Sequence, residues 1–399
     1  MISNVFIIGT FDTKSAEFFY AAERVRAAGA TSVLVDVSTT PSDAKVDVTP
    51  VEVASFHPNG VSAVLGLSDR GTAVGAMAEA LTNYLLQQKN IGAVLGLGGS
   101  GNTAIVTAAM RALPVGIPKI MVSTLASGNV SSFVGASDIM MMHAVADIAG
   151  LNAISRAVIG NAAHAAAGMA MNAVPKQPQV KRAVGLTMFG VTTPCITKIR
   201  QDLDQNFECF VFHATGSGGQ CFEKLIDSEF IDAALDITTT EVADHLFGGV
   251  LPCTADRFGA IIRTAIPYVG SVGAVDMINF GPRETIAEKF TGRNLYMHNA
   301  HVTLMRTTAA ENANIGTWIV ERLNQMKGPV RFLLPLQGVS ALDAPGHPFY
   351  DPLADEALFQ SIRQGWQSSP NRKLIEVDAH INDDIFANAC VTACREIAG

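Results

Sequence analysis

The stretch from Ile91 to Ala104, Ile-Gly-Ala-Val-Leu-Gly-Leu-Gly-Gly-Ser-Gly-Asn-Thr-Ala, constrains this chain more than any other. Its apolar part, Ala93 to Leu97, reads as a buried strand. Gly98-Gly99-Ser100-Gly101 then turns the chain, and Asn102-Thr103 open a small-residue helix that runs through Met110. A strand that feeds a Gly-rich turn and a helix N-terminus presents unpaired backbone N–H groups at the positive end of a helix dipole. That arrangement suits a phosphate or a carboxylate. Cβ atoms would obstruct both the turn and the close approach of an anion. A tight βα turn without a ligand is the competing reading of the same residues.

The chain around this stretch alternates strand-like and helix-like segments. Val5 to Ile8 reads as a strand, Gly9 to Lys14 as a loop, and Ser15 to Ala28 as an amphipathic helix ended by Gly29. A second strand, Ser32 to Val37, carries Asp36 near its end, where doubly wound nucleotide folds hold a ribose hydroxyl. The first loop lacks G-x-G-x-x-G, so the usual dinucleotide fingerprint is absent. Residues 41–75 read as a polar, irregular loop at the mouth of the site, followed by a helix from Thr72 to Gln88. Lys119 to Ser123 is a further strand, and it brings Thr124 and Ser127 to the same carboxyl edge as Gly98.

The Ala-rich stretch from Ala144 to Val174 is interrupted by Asp147, Asn152, Arg156, Asn161 and His164. It therefore reads as one or two close-packed helices at a subunit contact, not as a membrane span. Pro175 to Gln179 has linker composition, after which the pattern restarts. Ala183 to Met188 and Cys209 to His213 are strands, and His213 to Gly219 turns into a helix from Gln220 to Asp227. This second strand, turn and helix echoes the first. The expectation is two α/β domains, residues 1–178 and 183–399.

Composition narrows the function classes. Only 16% of residues are charged while 48% are hydrophobic, and mean hydropathy is +0.27. Such a chain has few residues for solvated faces, which implies surface buried between domains or subunits. A homodimer or higher homo-oligomer is expected. A net charge of -8 argues against a nucleic-acid surface. The six cysteines contain no C-x-x-C pair, so reduced thiols and a cytoplasmic location are expected. The opening residues read as a strand and not as a signal peptide.

In the second half, His213, Glu241, Asp244, His298, His301, Arg306 and Asp383 can do chemistry. His298 and His301 would share a helix face but lie on opposite faces of a strand, and no third metal ligand is identified. Arg306 among hydroxyls is a candidate anion clamp. The alternative is that these polar strings satisfy one another. Thr238-Thr239-Thr240-Glu241 also suits a helix N-cap with its Glu in the first turn.

Several strings occur in order along essentially the whole chain: GTFDTK, GLGGSGNT, PVGIPKIMVSTLASG, DIAGLN, LTMFGVTTP, FHATGSGG, LDITTTEVAD, HNAHVTLMRTT and HINDDIFA. Together they resemble the Tm-1-like UPF0261 family, the ATP-binding family of the plant tomato mosaic virus resistance protein with bacterial and archaeal relatives. The resemblance implies that both domains are Rossmann-like, each with a mostly parallel sheet flanked by helices. It also implies ATP binding by the first domain, and dimers or higher oligomers. One departure is Asn102, at a position where many relatives are expected to carry glycine.

On this reading Gly98, Gly99, Ser100, Gly101, Asn102 and Thr103 form a phosphate cradle, faced by Thr10, Asp12, Thr13 and Lys14. Lys14 would neutralise phosphate charge and Asp12 would take Mg²⁺ directly or through water. Asp36 would hold the ribose, with Ser123, Thr124 and Ser127 on the far side. His213, Glu241, His298, His301 and Arg306 are the catalytic candidates. Two functions stay open. One is an enzyme using ATP and Mg²⁺ on a small acidic or sugar-like substrate in the interdomain cleft. The other is a non-catalytic, nucleotide-responsive binding protein. Neither nucleic acid nor a membrane is an expected partner.

Overall fold

Five short apolar runs in the first half of the chain become parallel strands, because each is bounded by residues that turn the backbone and each alternates with a helix. They are β1 (Asn4–Gly9), β2 (Thr31–Asp36), β3 (Ile91–Gly98), β4 (Lys119–Ser123) and β5 (Ile139–His143). Their order in the sheet is β2-β1-β3-β4-β5. The computed structural model describes residues 4–40, 43–175, 180–290 and 292–399. The chain divides into two units, Met1–Gln177 and Pro178–Gly399. Of the expected linker, residues 176–179 lie outside the described residues.

β3 and β4 are buried almost throughout, as expected of central strands covered by helices on both faces. The Phe11–Ala27 helix buries Phe11, Phe18, Ala21, Ala22 and Val25 along one stripe. Phe18 packs so closely on β1 that a Cβ on Gly9 would stand 1.7 Å from its ring. Gly9 is thus a packing requirement, whatever the ligand.

Two local expectations change here, and a third is narrowed to one of its alternatives. The segment expected to be a loop from Gly9 to Lys14 already turns helical at Phe11. The end of β2 supplies acceptors to that helix start: Phe11 N–H donates to Asp36 Oδ1 (3.3 Å) and Asp12 N–H to Ser38 Oγ (3.1 Å). Lys14 then departs from helical geometry (φ -136°, ψ 31°), which kinks the helix. Residues 41–75 are not one loop. They include a Pro50–Ala54 helix capped by Thr49 and the start of an Arg70–Leu86 helix capped by Asp69. The Ala-rich stretch holds a single helix, Ala153–Met171, whose start is closed by an Asn152/Ser155 capping box.

The second unit contains β6 (Arg182–Met188), β7 (Phe207–His213), β8 (Ala233–Thr238), β9 (Tyr268–Gly273), β10 (Met277–Phe280), β11 (Leu295–Asn299), β12 (Val302–Arg306), β13 (Val330–Pro335) and β14 (Arg372–Val377). Six of them form a parallel sheet ordered β14-β13-β9-β8-β6-β7. Read from its other edge, this is the first unit's order with one strand added. Both units are therefore α/β with a Rossmann-like, doubly wound parallel sheet. β10, β12 and β11 form a small antiparallel sheet interposed in the chain between β9 and β13.

Candidate functional site

In a doubly wound sheet the strand order reverses at one point, and the carboxyl ends of the strands flanking that point open a crevice for ligands. In the first unit those strands are β1 and β3, with Gly9-Thr10 and Gly98-Gly99 at their ends. Helices start directly after both strands, at Phe11 and Ser100.

The loop after β3 is shaped by Asn102 and Thr103. Asn102 is buried, and its Nδ2 donates to the Leu97 carbonyl at 2.6 Å. It lies across Gly98, whose φ is +156°, and a Cβ on Gly98 would come within 2.8 Å of Asn102 Cβ. Thr103 Oγ1 donates to the Gly99 carbonyl (2.8 Å) and shares a 2.8 Å hydrogen bond with Ser123 Oγ, which accepts from Leu125 N–H. Thr103 and Ser123 are fully buried, so they tie the turn to β4 and present nothing to a ligand.

Above that base, the first-turn N–H groups of Ser100, Gly101 and Asn102 have no acceptor among the described residues. Gly99 and Gly101 keep the backbone uncovered. A methyl on Gly99 would meet only Thr124 Oγ1, at 3.8 Å, and one on Gly101 only Arg70 Nη2, at 3.6 Å. Arg70 is exposed, and none of the ion pairs among the described residues involves it. Ser127 is also exposed, on the loop after β4. Donors of three kinds thus converge at the head of a 13-residue helix: backbone amides, a hydroxyl and a guanidinium.

The β1 side is arranged differently from the expectation. Asp36 is 1% exposed, and its Oδ1 accepts from Phe11 N–H, Ser38 N–H and Ser38 Oγ. That oxygen holds the β1 loop. Lys14 Nζ donates to the Ile148 carbonyl, and nearby Glu17 accepts from Gly150 N–H at 2.6 Å. Lys14 therefore pins the loop before the Ala-rich helix. Asp12 is exposed and accepts from Thr40 Oγ1. Thr10 caps the first helix without a side-chain hydrogen bond, and Thr13 is exposed. Among the described residues no three His, Cys, Asp or Glu side chains cluster as a metal cage. A lone exposed carboxylate suits a Mg²⁺ that keeps its waters and is held mainly by phosphates.

The second Gly-rich turn shows the contrast. Glu241 Oε1 accepts from Gly216 N–H (2.6 Å) and Gly219 N–H (3.1 Å), so this loop's donors are consumed from below by the protein itself. Glu241 is fully buried, and burial pushes its carboxyl up to about 7 against the pull of Arg257. Arg257 donates to Glu241 Oε2 (3.3 Å), Glu223 Oε1 (2.9 Å) and Asp236 Oδ1 (2.7 Å). Thr187 and Tyr268 also donate to Asp236. This network joins β6, β8, β9 and the Ser217–Asp227 helix. Its partners lie 16 to 34 residues from Arg257 in sequence, which is why spacing did not reveal it.

Arg306 is not an anion clamp. It is 4% exposed and donates to Phe349 O (2.7 Å), Thr307 Oγ1 (3.1 Å), Asp351 O (3.3 Å), Asp343 Oδ1 (3.5 Å) and Asp355 Oδ1 (2.7 Å). Its charge serves buried carboxylates of the second unit. His298 is the penultimate residue of β11 and His301 sits in the turn to β12, both exposed. His213 is exposed at the end of β7, and Asp383 accepts from His380 N–H. Asp244 is buried and accepts from Leu251 and Asn279 N–H, and burial raises it to about 6. No hydrogen bond joins any two of His213, Glu241, His298, His301 and Arg306 among the described residues.

No helix among the described residues is long and apolar enough to cross a membrane. Residues 3–175 match the N-terminal domain, and residues 181–398 the C-terminal domain, of the uncharacterised protein family UPF0261. A UPF0261 protein of Rhizobium meliloti (strain 1021) is 53% identical, and the match covers all of both chains. The ToMV resistance protein Tm-1 of Solanum lycopersicum is 42% identical over 99% of this chain and 56% of its own length. The ToMV susceptible protein tm-1 of the same plant matches at the same identity and coverage. The chain belongs to the UPF0261 family.

Proposed function

We propose that the first unit binds a nucleotide, with ATP as the ligand and its phosphates on the amides of Ser100, Gly101 and Asn102. The observation that carries this reading is the set of unaccepted N–H groups at the head of the Ser100–Ala112 helix, flanked by Arg70 and Thr124. A helix start of this kind, at the switch point of a doubly wound sheet, favours a multiply charged anion. Asp12 is the residue that would hold a phosphate-bound Mg²⁺, which supplies charge neutralisation at the phosphates. Thr10 and Thr13 would lie beside it.

A non-catalytic, nucleotide-responsive binding role fits the second unit better than catalysis does. Glu241 and Arg306 are committed to internal hydrogen bonds, which leaves His213, His298 and His301 as separate exposed side chains. ATP turnover stimulated by a small acidic or sugar-like substrate would instead favour the enzyme. The resistance and susceptible tomato proteins match this chain equally, so the likeness gives no ground for assigning virus resistance to it. Calorimetric titration of the full chain with ATP and Mg²⁺ tests the proposal. The expected result is saturable binding that weakens in Arg70→Ala. A folded protein that does not bind ATP would refute it.

A further inference from the structure

Two loops at the carboxyl edge of the first sheet carry an exposed apolar side chain two residues beyond the end of a strand. Leu125 follows β4 and is 37% exposed, and Val145 follows β5 and is 65% exposed. Both loops hang from Ser123, whose hydroxyl meets Thr103 in the first turn of the Ser100–Ala112 helix (2.8 Å). Ser123 Oγ accepts from Leu125 N–H (3.1 Å), and the Ser123 carbonyl accepts from Ala126 N–H (3.3 Å) and Ala144 N–H (3.1 Å). Thr124 N–H donates to the Gly98 carbonyl (3.2 Å), which joins the Leu125 turn directly to the Gly-rich turn.

Val145 is held in an unfavourable backbone conformation. Ala146 N–H donates to the Ala144 carbonyl (2.7 Å), so Val145 is the middle of a three-residue turn, with φ +65°. A γ-turn of this hand is strained, and a β-branched residue suits it poorly. Of the non-glycine residues with positive φ among the described residues, Val145 alone is β-branched. The segment it opens returns from the edge strand to the head of the first helix. There Lys14 donates to the Ile148 carbonyl and Glu17 accepts from Gly150 N–H (2.6 Å). Packing does not account for the valine, because most of its side chain meets solvent. Strain retained at an exposed apolar residue points to a ligand.

We propose that Leu125 and Val145 form the wall against which the heteroaromatic base of a nucleotide lies, over the ends of β4 and β5. This rests on the nucleotide reading of the first unit. Two strand spacings, about 10 Å, separate β3 from β5, so a nucleotide with its phosphates at the Ser100 helix head reaches Val145 with its base. A base presents flat apolar faces, which gain from burial against aliphatic side chains. The end of β2 offers no such surface. Asp36 and Ser38 are buried there in hydrogen bonds to the start of the first helix, and the exposed Thr40 is polar.

The test compares ATP with tripolyphosphate, each with Mg²⁺, by calorimetric titration of the full chain. Tripolyphosphate engages the helix head alone, so wild type is expected to bind ATP more tightly. Val145→Asn keeps the turn, because asparagine adopts positive φ readily, and removes the apolar contact. Val145→Asn and Leu125→Ser are each expected to weaken ATP binding by about five- to tenfold and to leave tripolyphosphate binding unchanged. Val145→Asn should also melt no lower than wild type, since it relieves the strain. Methyl NMR of the wild-type complex is expected to place adenine H2 or H8 beside the Leu125 and Val145 methyls, which decides the matter if a variant fails to fold. Four results would overturn the proposal: ATP no tighter than tripolyphosphate in wild type, equal losses for both ligands, unchanged ATP affinity in the folded variants, or adenine protons remote from both residues. Failure of both ligands to bind would instead refute the nucleotide reading itself, and this inference with it.

Discussion

Gly98 and Gly101 stand three residues apart in the same turn, and substitution to alanine is expected to affect them in opposite ways. At Gly98 the added Cβ would lie 2.8 Å from Asn102 Cβ, on a backbone with φ +156°. Asn102 is fixed by its bond to Leu97, so the turn must distort. A cost of about 1–3 kcal/mol in stability follows for Gly98→Ala. At Gly101 the nearest atom is Arg70 Nη2 at 3.6 Å, an ordinary contact with a flexible exposed side chain. Gly101 is the second residue of its helix, where alanine is favourable by up to ~1 kcal/mol.

Gly101→Ala should therefore fold as well as wild type. Its methyl would nevertheless hold a phosphate away from the helix head. Loss of one amide-to-anion hydrogen bond, at about 1.5–3 kcal/mol, weakens binding by roughly ten- to hundredfold. Thermal melting and calorimetric titration with ATP and Mg²⁺ on the same samples separate the two effects. Unchanged ATP affinity in a folded Gly101→Ala protein would refute the assignment of the cradle.

Other outcomes follow from the same geometry. Arg70→Ala should weaken ATP binding by about tenfold through loss of a charge-assisted contact, whereas Lys14→Ala should change affinity less, because Lys14 is occupied by the Ile148 carbonyl. A larger loss in Lys14→Ala would reverse these roles. Arg257→Met leaves Glu223, Asp236 and Glu241 buried without their cation and should cost about 3–5 kcal/mol in urea unfolding. That deficit should shrink as pH falls, because burial already pushes Glu223 and Glu241 toward the protonated form, and a deficit independent of pH would contradict this account. Burial raises Glu241 and Asp276 to about 7 and Asp355 to about 8, above ordinary values of 4.5, 3.8 and 3.8. Between those limits the native state holds protons that the unfolded chain has released. Their effect is that stability falls as pH rises from about 5 to 8, and a melting temperature that rises over this range would be the wrong sign.

The amino-acid sequence makes the sheets legible where apolar runs are bounded by turn residues. β4 at Lys119–Ser123 begins and ends where the pattern places it. β5 escapes that reading because Ile-Met-Met-Met-His lacks the β-branched run that marks an inner strand, and it lies at the sheet edge. The start of the first helix at Phe11 is invisible locally because its acceptors, Asp36 and Ser38, come from the end of the next strand.

The two Gly-rich turns look alike in sequence and differ in what lies beneath them. Glu241 follows Gly216 and Gly219 by 25 and 22 residues and takes up their N–H groups, which no short motif records. Arg70 reaches Gly101 from a helix start that reads as part of a loop, and Arg257 and Arg306 find their carboxylates only through the fold. Arg306 beside hydroxyls resembles a ligand clamp until Asp343 and Asp355, 37 and 49 residues further on, are brought against it.

The most direct test of the central claim is amide NMR of the full chain during titration with ATP and Mg²⁺. Saturable shifts are predicted for the Ser100, Gly101 and Asn102 amide protons, with Gly216 and Gly219 unmoved because Glu241 already holds them. Shifts confined to Gly216 and Gly219, or none at the head of the Ser100–Ala112 helix, would contradict it.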